Sequence, residues 1–247
     1  MWQKEGNVIT SRLFGPSEFS FFEDGCEIRI VSDTSYPFED TVRYTVKTNV
    51  SFTLRIRRPK WAVSTTLTDE NGKEKSYKRG DYIVRKIEGD TTLTLRLEYD
   101  ITENKSGEWM YLSRGPLVFS LLIDEKRTPY LNDRTPGVTF PDYSIRPASE
   151  WRYALSGEYS FSRGSFTSLA DRSGMPFISA SAVRITNFAP EENDPKYGGK
   201  IDAGYDEYTF TPRLLQSDKI ETDGALRTVR LLPYGACKLR MTVLNKI

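Results

Sequence analysis

The stretch Arg114-Gly115-Pro116-Leu117-Val118-Phe119-Ser120-Leu121-Leu122-Ile123 contains the most continuous apolar run in the chain. Only Ser120 interrupts it after Leu117, and its Val, Phe and Ile residues are typical of a strand buried on both faces. Pro116 has no backbone N–H and Gly115 tolerates unusual dihedral angles, so this pair predicts a break just before the strand. The run is the predicted junction between two halves of the fold. Its predicted neighbours are the segment Pro233-Tyr234-Gly235 and a strand from Cys237 to Leu244.

Short alternating strands flank this run on both sides. Phe52, Leu54 and Ile56 share one face of a strand, as do the leucines of the segment 93–97, and Asn71-Gly72 is a strong hairpin signal. About seven or eight such strands occupy the first half, where no helical period occurs, and Ser156 to Phe166 is strand-like in the second half. We therefore predict an all-β chain of two antiparallel β-sandwich domains, jelly-roll or immunoglobulin-like. The predicted domains are residues 1–107 and residues 108–247, the second with long irregular loops.

Composition excludes several classes of function. The chain has 35 Lys plus Arg and 34 Asp plus Glu, so its charge gives no case for nucleic acid or an anionic membrane as partner. It has no histidine, which removes the commonest general base and metal ligand. We predict no cofactor and no metal site. The first six residues lack an apolar signal-peptide segment, so we expect either an intracellular protein or a piece of a longer one; the compartment stays open.

The two cysteines are predicted to be small core residues. Alternation places Cys26 with Ile28 and Ile30, and Cys237 with Leu239 and Met241. No histidine is present to lower the pKa of either thiol, so a nucleophilic role is disfavoured. A disulfide between them stays open, without support in the sequence.

Adjacent acids occur at Glu39-Asp40, Glu191-Glu192 and Asp206-Glu207. Neighbours on a strand point to opposite faces, so these are poor catalytic pairs, and we interpret them as solvated turn charges. Asp194, Asp202 and Asp206 offer oxygen ligands for Ca²⁺, but their spacing matches no calcium motif and favours a solvated loop.

One loop combines aromatic and planar polar side chains of the kind that bind sugars. Tyr143, Arg146, Trp151 and Tyr153 lie close together in sequence, and Trp151 and Tyr153 share a face if the segment is extended. These four are the candidate carbohydrate-binding residues. The alternative is that the loop packs against the β-sandwich or against another domain.

Seven segments follow one another along the chain: Leu13 to Ser17, Thr34 to Glu39, Leu54 to Trp61, Gly80 to Tyr82, Arg114 to Val118, Arg146 to Leu155 and Pro233 to Arg240. In this order they resemble the C-terminal β region of glycoside hydrolase family 127, the β-L-arabinofuranosidase-type enzymes. In that family, an (α/α)6 barrel precedes this region and carries the catalytic acid, a nucleophilic cysteine and the zinc ligands. No segment here resembles that barrel, so the resemblance transfers no catalytic residue to this chain.

The resemblance implies a non-catalytic β-sandwich region of a glycoside hydrolase. Its expected partner is a catalytic (α/α)6 barrel on the same or an adjacent polypeptide, and the region would support that barrel and border its substrate cleft. The alternative is an independent carbohydrate-binding module that takes a plant-type oligosaccharide at Trp151 and Tyr153. A self-sufficient hydrolase using paired carboxylates is the least favoured hypothesis, because a paired-acid motif is missing. Sugar specificity and oligomeric state stay open.

Overall fold

The structure is a computed structural model that describes residues 1–23, 25–78, 81–130, 142–168, 171–187 and 215–247. Its described residues form β-strands, two single-turn 3-10 helices (Ser217–Lys219 and Tyr234–Ala236) and no α-helix. The all-β prediction is therefore confirmed.

Ten strands precede residue 100, and they build two sheets. The four-stranded sheet has the order β1-β2-β6-β9, and the six-stranded sheet has the order β3-β4-β5-β10-β7-β8. The strands are β1 (Trp2–Glu5), β2 (Val8–Ser11), β3 (Ser17–Glu23), β4 (Cys26–Asp33), β5 (Thr41–Lys47), β6 (Phe52–Arg57), β7 (Ser64–Thr68), β8 (Glu74–Tyr77), β9 (Tyr82–Ile87) and β10 (Thr91–Glu98). All pairs are antiparallel except β2 with β6. The predicted hairpin at Asn71-Gly72 joins β7 to β8, and Gly72 has a φ of 76°.

One hydrophobic core fills the space between these two sheets. The alternation predicted from the sequence directs Leu54 and Ile56 of the smaller sheet and Leu93, Leu95 and Leu97 of the larger sheet inward, and all five are buried. A buried contact between the hydroxyls of Ser11 and Tyr44, 3.0 Å apart, also joins the sheets. This arrangement is a β-sandwich, because each sheet covers the apolar face of the other.

The later strands form a large sheet of eight strands and a separate hairpin. The large sheet has the order β11-β12-β13-β18-β17-β16-β20, with β19 also paired to β13, and the hairpin pairs β14 with β15. The strands are β11 (Ile101–Ser106), β12 (Trp109–Arg114), β13 (Leu117–Leu122), β14 (Glu125–Tyr130), β15 (Asp142–Pro147), β16 (Tyr153–Ser162), β17 (Phe177–Ile185), β18 (Thr222–Pro233), β19 (Arg240–Met241) and β20 (Asn245–Lys246). Strand β20 runs parallel to β16.

The apolar run that begins at Leu117 forms strand β13. It follows the break at Gly115-Pro116 as predicted, and Phe119, Ser120 and Leu121 are buried in succession, so both faces of the strand are covered. Both predicted neighbours are confirmed in part: Phe119 pairs with Pro233 and Leu121 pairs with Met241.

Two strand predictions in this half were too long. The strand expected from Cys237 to Leu244 is reduced to Arg240–Met241, because bends at residues 238–239 and 243 interrupt the extended backbone on both sides of it. The strand expected from Ser156 to Phe166 begins earlier, at Tyr153, and ends at Ser162.

The chain divides into two compact units. The first comprises Met1–Thr102, Arg114–Leu117 and Arg163–Pro176, and the second comprises Glu103–Ser113, Val118–Ser162 and Phe177–Ile247. Two short segments that follow residue 107 therefore belong to the first unit.

The cysteines lie in different surroundings. Cys237 is buried, as predicted, whereas Cys26 is only half-buried, because it occupies the first position of β4, at the turn from β3. Neither cysteine forms a disulfide.

Candidate functional site

A buried ion pair organises one end of the first unit. The two guanidinium nitrogens of Arg114 donate to the two carboxylate oxygens of Asp40 at 2.9 and 2.8 Å, and both side chains are buried. A bidentate pair of this kind is strong and fixes geometry, because both groups are planar. The interpretation of Asp40 as a solvated turn charge was wrong. Glu39 alone fits that interpretation, because its side chain is exposed.

Tyr99 lies beneath this pair. The Arg114 guanidinium is 5.0 Å from the centre of the Tyr99 ring, and burial raises the pKa of the Tyr99 hydroxyl. Gly115 has a φ of 55°, and a Cβ there would come within 3.0 Å of the ring. The Arg-Gly-Pro sequence therefore has a structural explanation: the arginine pairs with Asp40, and the glycine allows the chain to pass close to the ring.

The turn that carries Asp40 is closed by its own hydrogen bonds. The Thr34 hydroxyl accepts from the backbone N–H of Tyr36 at 2.9 Å and donates to the carbonyl of Thr41, and the N–H of Phe38 donates to the carbonyl of Ser35 at 2.9 Å. Because these bonds fix the backbone, Phe38, Glu39 and Asp40 have defined directions.

A second ordered turn approaches from the segment Arg163–Pro176. The N–H of Ser165 donates to the carbonyl of Gly174 at 2.9 Å, and the two sides of the turn are so close that a Cβ at Gly164 would lie 2.5 Å from that carbonyl oxygen. Asp171 accepts from the Thr167 hydroxyl at 3.1 Å and from the N–H of Ser173 at 3.0 Å. Hydrogen bonds from Ser173 and Thr167 lower the pKa of Asp171.

The two turns meet at a stacked pair of phenylalanines. The rings of Phe38 and Phe166 are 4.4 Å apart and inclined by 14°, and Arg163 reaches Asp40 at 3.4 Å. Between the turns lies a cavity of about 480 Å³. Its lining residues are Phe38, Glu39, Asp40, Thr41, Arg163, Gly164, Ser165, Phe166 and Thr167. We call it the Phe38–Phe166 pocket.

The four residues predicted from the sequence lie in the second unit, at two places. Tyr143 and Arg146 are exposed on β15 of the separate hairpin, where they pair with Pro129 and Lys126. Trp151 precedes β16 and packs, half-buried, against the apolar cluster of Ala154, Val183 and Ile185. Tyr153 begins β16, and its N–H donates to the carbonyl of Trp151 at 3.1 Å, so the segment is bent between these two residues. Their role in sugar binding stays a prediction.

Glu150 forms ion pairs with two arginines near Trp151 and Tyr153. It accepts from Arg152 at 2.8 Å through Oε1, and Arg184 lies 3.0 Å from its Oε2. The Arg152 guanidinium, together with the backbone N–H groups of Arg152 and Trp151, lowers the pKa of Glu150 to about 2. Glu150 is therefore an ion-paired carboxylate at neutral pH and not a general acid.

Two kinds of feature are absent from the described residues. In the ranges that the structure describes, no group of three His, Cys, Asp or Glu residues is placed to hold a metal ion. None of the described helices has the length and apolar character required to cross a membrane. The proposed calcium ligands Asp194, Asp202 and Asp206, and the acids Glu191, Glu192 and Glu207, lie outside the described residues.

The Phe38–Phe166 pocket was not among the sites predicted from the sequence. Its two halves come from turns far apart in the sequence, and no local pattern links Phe38 with Phe166. The available signal was indirect: Thr34 to Glu39 and Arg114 to Val118 are both among the segments that carry the family resemblance.

Comparison with known proteins defines the class of this fold. Residues 8–101 match the family model of the GH127 middle domain of β-L-arabinofuranosidases. No curated protein was found to match the chain.

Solved structures share the fold of this chain over nearly all of its length. It is similar to a GH127 β-L-arabinofuranosidase from Geobacillus stearothermophilus T6 (TM-score 0.61, 20% identity, covering 100% of this chain and 35% of that one). It is also similar to a GH127 β-arabinofuranosidase (TM-score 0.57, 13% identity, 100% and 36%) and to a glycoside hydrolase (TM-score 0.58, 15% identity, 96% and 36%). The chain thus spans about a third of the length of these structures.

The fold is that of the β region of these glycoside hydrolases, and residues 8–101 match the model of its middle domain. The resemblance seen in the sequence is therefore confirmed.

Proposed function

We propose that this chain is a non-catalytic β-sandwich region of a glycoside hydrolase of the β-L-arabinofuranosidase type. Its role is to support a catalytic (α/α)6 barrel carried by the same or an adjacent polypeptide. The observation that carries the proposal is the coverage: similarity extends over the whole chain but over only about 35% of the β-L-arabinofuranosidase structure.

The chemistry of the described residues supports a non-catalytic role. The chain has no histidine. Asp40 forms an ion pair with Arg114, and Glu150 forms one with Arg152, so each carboxylate already has a cation as its partner. A carboxylate fixed in this way is a poor nucleophile or proton donor, because its lone pairs and charge are already engaged.

A glycosidase assay tests the proposal. The purified chain, treated with a chelator, should not hydrolyse an aryl β-L-arabinofuranoside, whereas the chain joined to a family barrel should contribute to its stability or turnover. Hydrolysis by the chain alone, abolished by a single carboxylate substitution such as Asp40→Asn, would contradict the proposal.

The alternative, an independent carbohydrate-binding module, is tested on the predicted residues. Calorimetry with plant-wall oligosaccharides should detect binding that Trp151→Ala and Tyr153→Ala weaken. Trp151 also packs against Ala154, Val183 and Ile185, so its replacement disturbs the fold as well as any sugar contact. Tyr143 is exposed, so Tyr143→Ala tests a candidate residue with little disturbance of the packing.

A further inference from the structure

We propose that the Phe38–Phe166 pocket of the first unit is a binding site for a neutral sugar residue. Neither the family model nor the sequence-predicted residues assign a ligand to this place. The inference goes beyond the supporting role proposed above and does not require a barrel.

The size of the pocket suits such a ligand. Its volume of about 480 Å³ lies in the range of roughly 300–1,000 Å³ that is typical of small-molecule sites. Both walls are turns closed by their own hydrogen bonds, through Thr34 on one side and Asp171 on the other. A site with fixed walls loses little conformational entropy when a weakly held ligand enters it.

The charges of the pocket favour a neutral molecule over an ion. Asp40 lines the pocket but is neutralised by Arg114, and the exposed charged groups of the lining are Glu39 and Arg163, whose signs are opposite. An anion would be attracted by Arg163 and repelled by Glu39, and a cation would experience the reverse. A molecule with several hydroxyl groups can instead accept from the arginine and donate to the carboxylate.

The aromatic pair supplies the apolar part of the site. Phe38 and Phe166 are both half-buried, so part of each ring is accessible from the cavity they line. Sugars combine an apolar C–H face with a rim of hydroxyls, and they pack that face on aromatic rings. The hydroxyl-bearing residues Thr41, Ser165 and Thr167 also line the cavity and add donors and acceptors.

The side chain of Arg163 has the geometry of a ligand-binding residue. The side chain is 64% exposed, and its nearest nitrogen is 3.4 Å from a carboxylate oxygen of Asp40. Arg114 already donates to both oxygens of that carboxylate at shorter distances. The stability of the buried pair therefore depends little on Arg163, which lines the pocket and carries five N–H donors.

The test is a titration of the whole chain, monitored by NMR, with L-arabinose, D-xylose and methyl α-L-arabinofuranoside as neutral probes. D-Galacturonate and a diamine serve as charged probes. We expect saturable, millimolar binding of at least one neutral probe, with shifts in residues 38–41 and 163–167, and weaker binding of both ions. Tighter binding of either ion, or no binding of any neutral probe at 100-fold the expected dissociation constant, would overturn the proposal.

Two variants and a matched control locate the site. Arg163→Gln and Phe166→Leu should each weaken binding about five- to tenfold. Arg85→Gln is the matched control, because Arg85 is also an exposed arginine 3.4 Å from an aspartate, Asp69. Arg85 does not line the pocket, so this variant should leave the sugar affinity unchanged. The spectrum of each variant without sugar verifies its fold. Equal affinity in all three proteins would show that the sugar binds elsewhere and would refute the assignment. Because the readout is binding and not hydrolysis, this failure would leave the proposed supporting role intact.

Discussion

The two units of this chain each hold a carboxylate with arginines, but in opposite environments. In the first unit, the side chains of Asp40 and Arg114 are 4% and 10% exposed; in the second, those of Glu150 and Arg152 are 25% and 33% exposed. A buried pair must be complete, because a single charge left in the interior cannot regain its hydration. A partly exposed pair can lose one member, because water replaces it. A carboxylate paired with a guanidinium therefore forms a rigid, buried element in the first unit and a partly exposed ion pair in the second.

The largest effect should follow from removing one half of the buried pair. Arg114→Met leaves the buried Asp40 carboxylate with Arg163, an exposed side chain at 3.4 Å, as its remaining ion-pair partner among the described residues. We therefore expect a loss of about 3–5 kcal/mol from the unfolding free energy of the first unit. Hydrogen-exchange mass spectrometry measures this, since it follows peptides of each unit separately.

The matched change in the second unit is Arg152→Met. It should cost less than about 1 kcal/mol. The double variant Asp40→Asn/Arg114→Met should recover much of the stability lost in Arg114→Met, because it removes the unpaired charge. Equal losses for Arg114→Met and Arg152→Met would contradict the comparison.

The next effect concerns the backbone that positions Arg114. Gly115→Ala should destabilise the first unit by about 2–3 kcal/mol, since it adds a contact with the Tyr99 ring to the cost of a positive φ. Gly6→Ala is the control: Gly6 has the same φ of 55° but no atom within 4 Å of the added Cβ. That variant should lose about 1 kcal/mol. The difference between the two midpoints in urea isolates the ring contact, and identical midpoints would show that no such contact exists.

A smaller effect is expected at the ring stack. Phe166→Leu keeps an apolar side chain but loses the stacking with Phe38, so we expect a local loss of about 1 kcal/mol. It should appear as faster amide exchange in residues 163–168 and not in β5 or β10. Faster exchange throughout the unit would mean that the stack supports the whole sandwich rather than the pocket alone.

The smallest effect is a pH dependence of the second unit. The pKa of Glu150 is about 2 in the folded chain, below its ordinary value of 4.5, so its ion pair contributes fully above pH 4.5. The contribution is lost as the pH falls from 4.5 towards 2, because the unfolded chain binds the proton more readily. Partial exposure screens this contribution. In acid titrations of stability, Glu150→Gln should flatten this part of the profile; an unchanged profile would assign the acid sensitivity to other carboxylates.

Much of the fold could be predicted because its signal is local. Alternation identified the buried faces of β6 and β10, and Asn71-Gly72 identified a hairpin, since each depends on residues within one strand or turn. The site was less predictable. The four aromatic and arginine candidates were chosen for closeness in sequence, yet Tyr143 and Arg146 lie on a separate hairpin from the sheet that carries Tyr153.

The sequence by itself determined the all-β class, the central strand β13 with part of its neighbourhood, and the family resemblance. These follow from local patterns and ordered motifs that any chain with these residues would carry. Only the tertiary structure decided that Asp40 is buried, that Arg114 is its partner 74 residues away, and that Phe38 and Phe166 enclose a pocket. The physical reason is that burial and pairing of charges depend on which segments meet in space. The sequence predicts only that Asp40 lies in a turn, whereas the structure shows that Arg114 lies beside it.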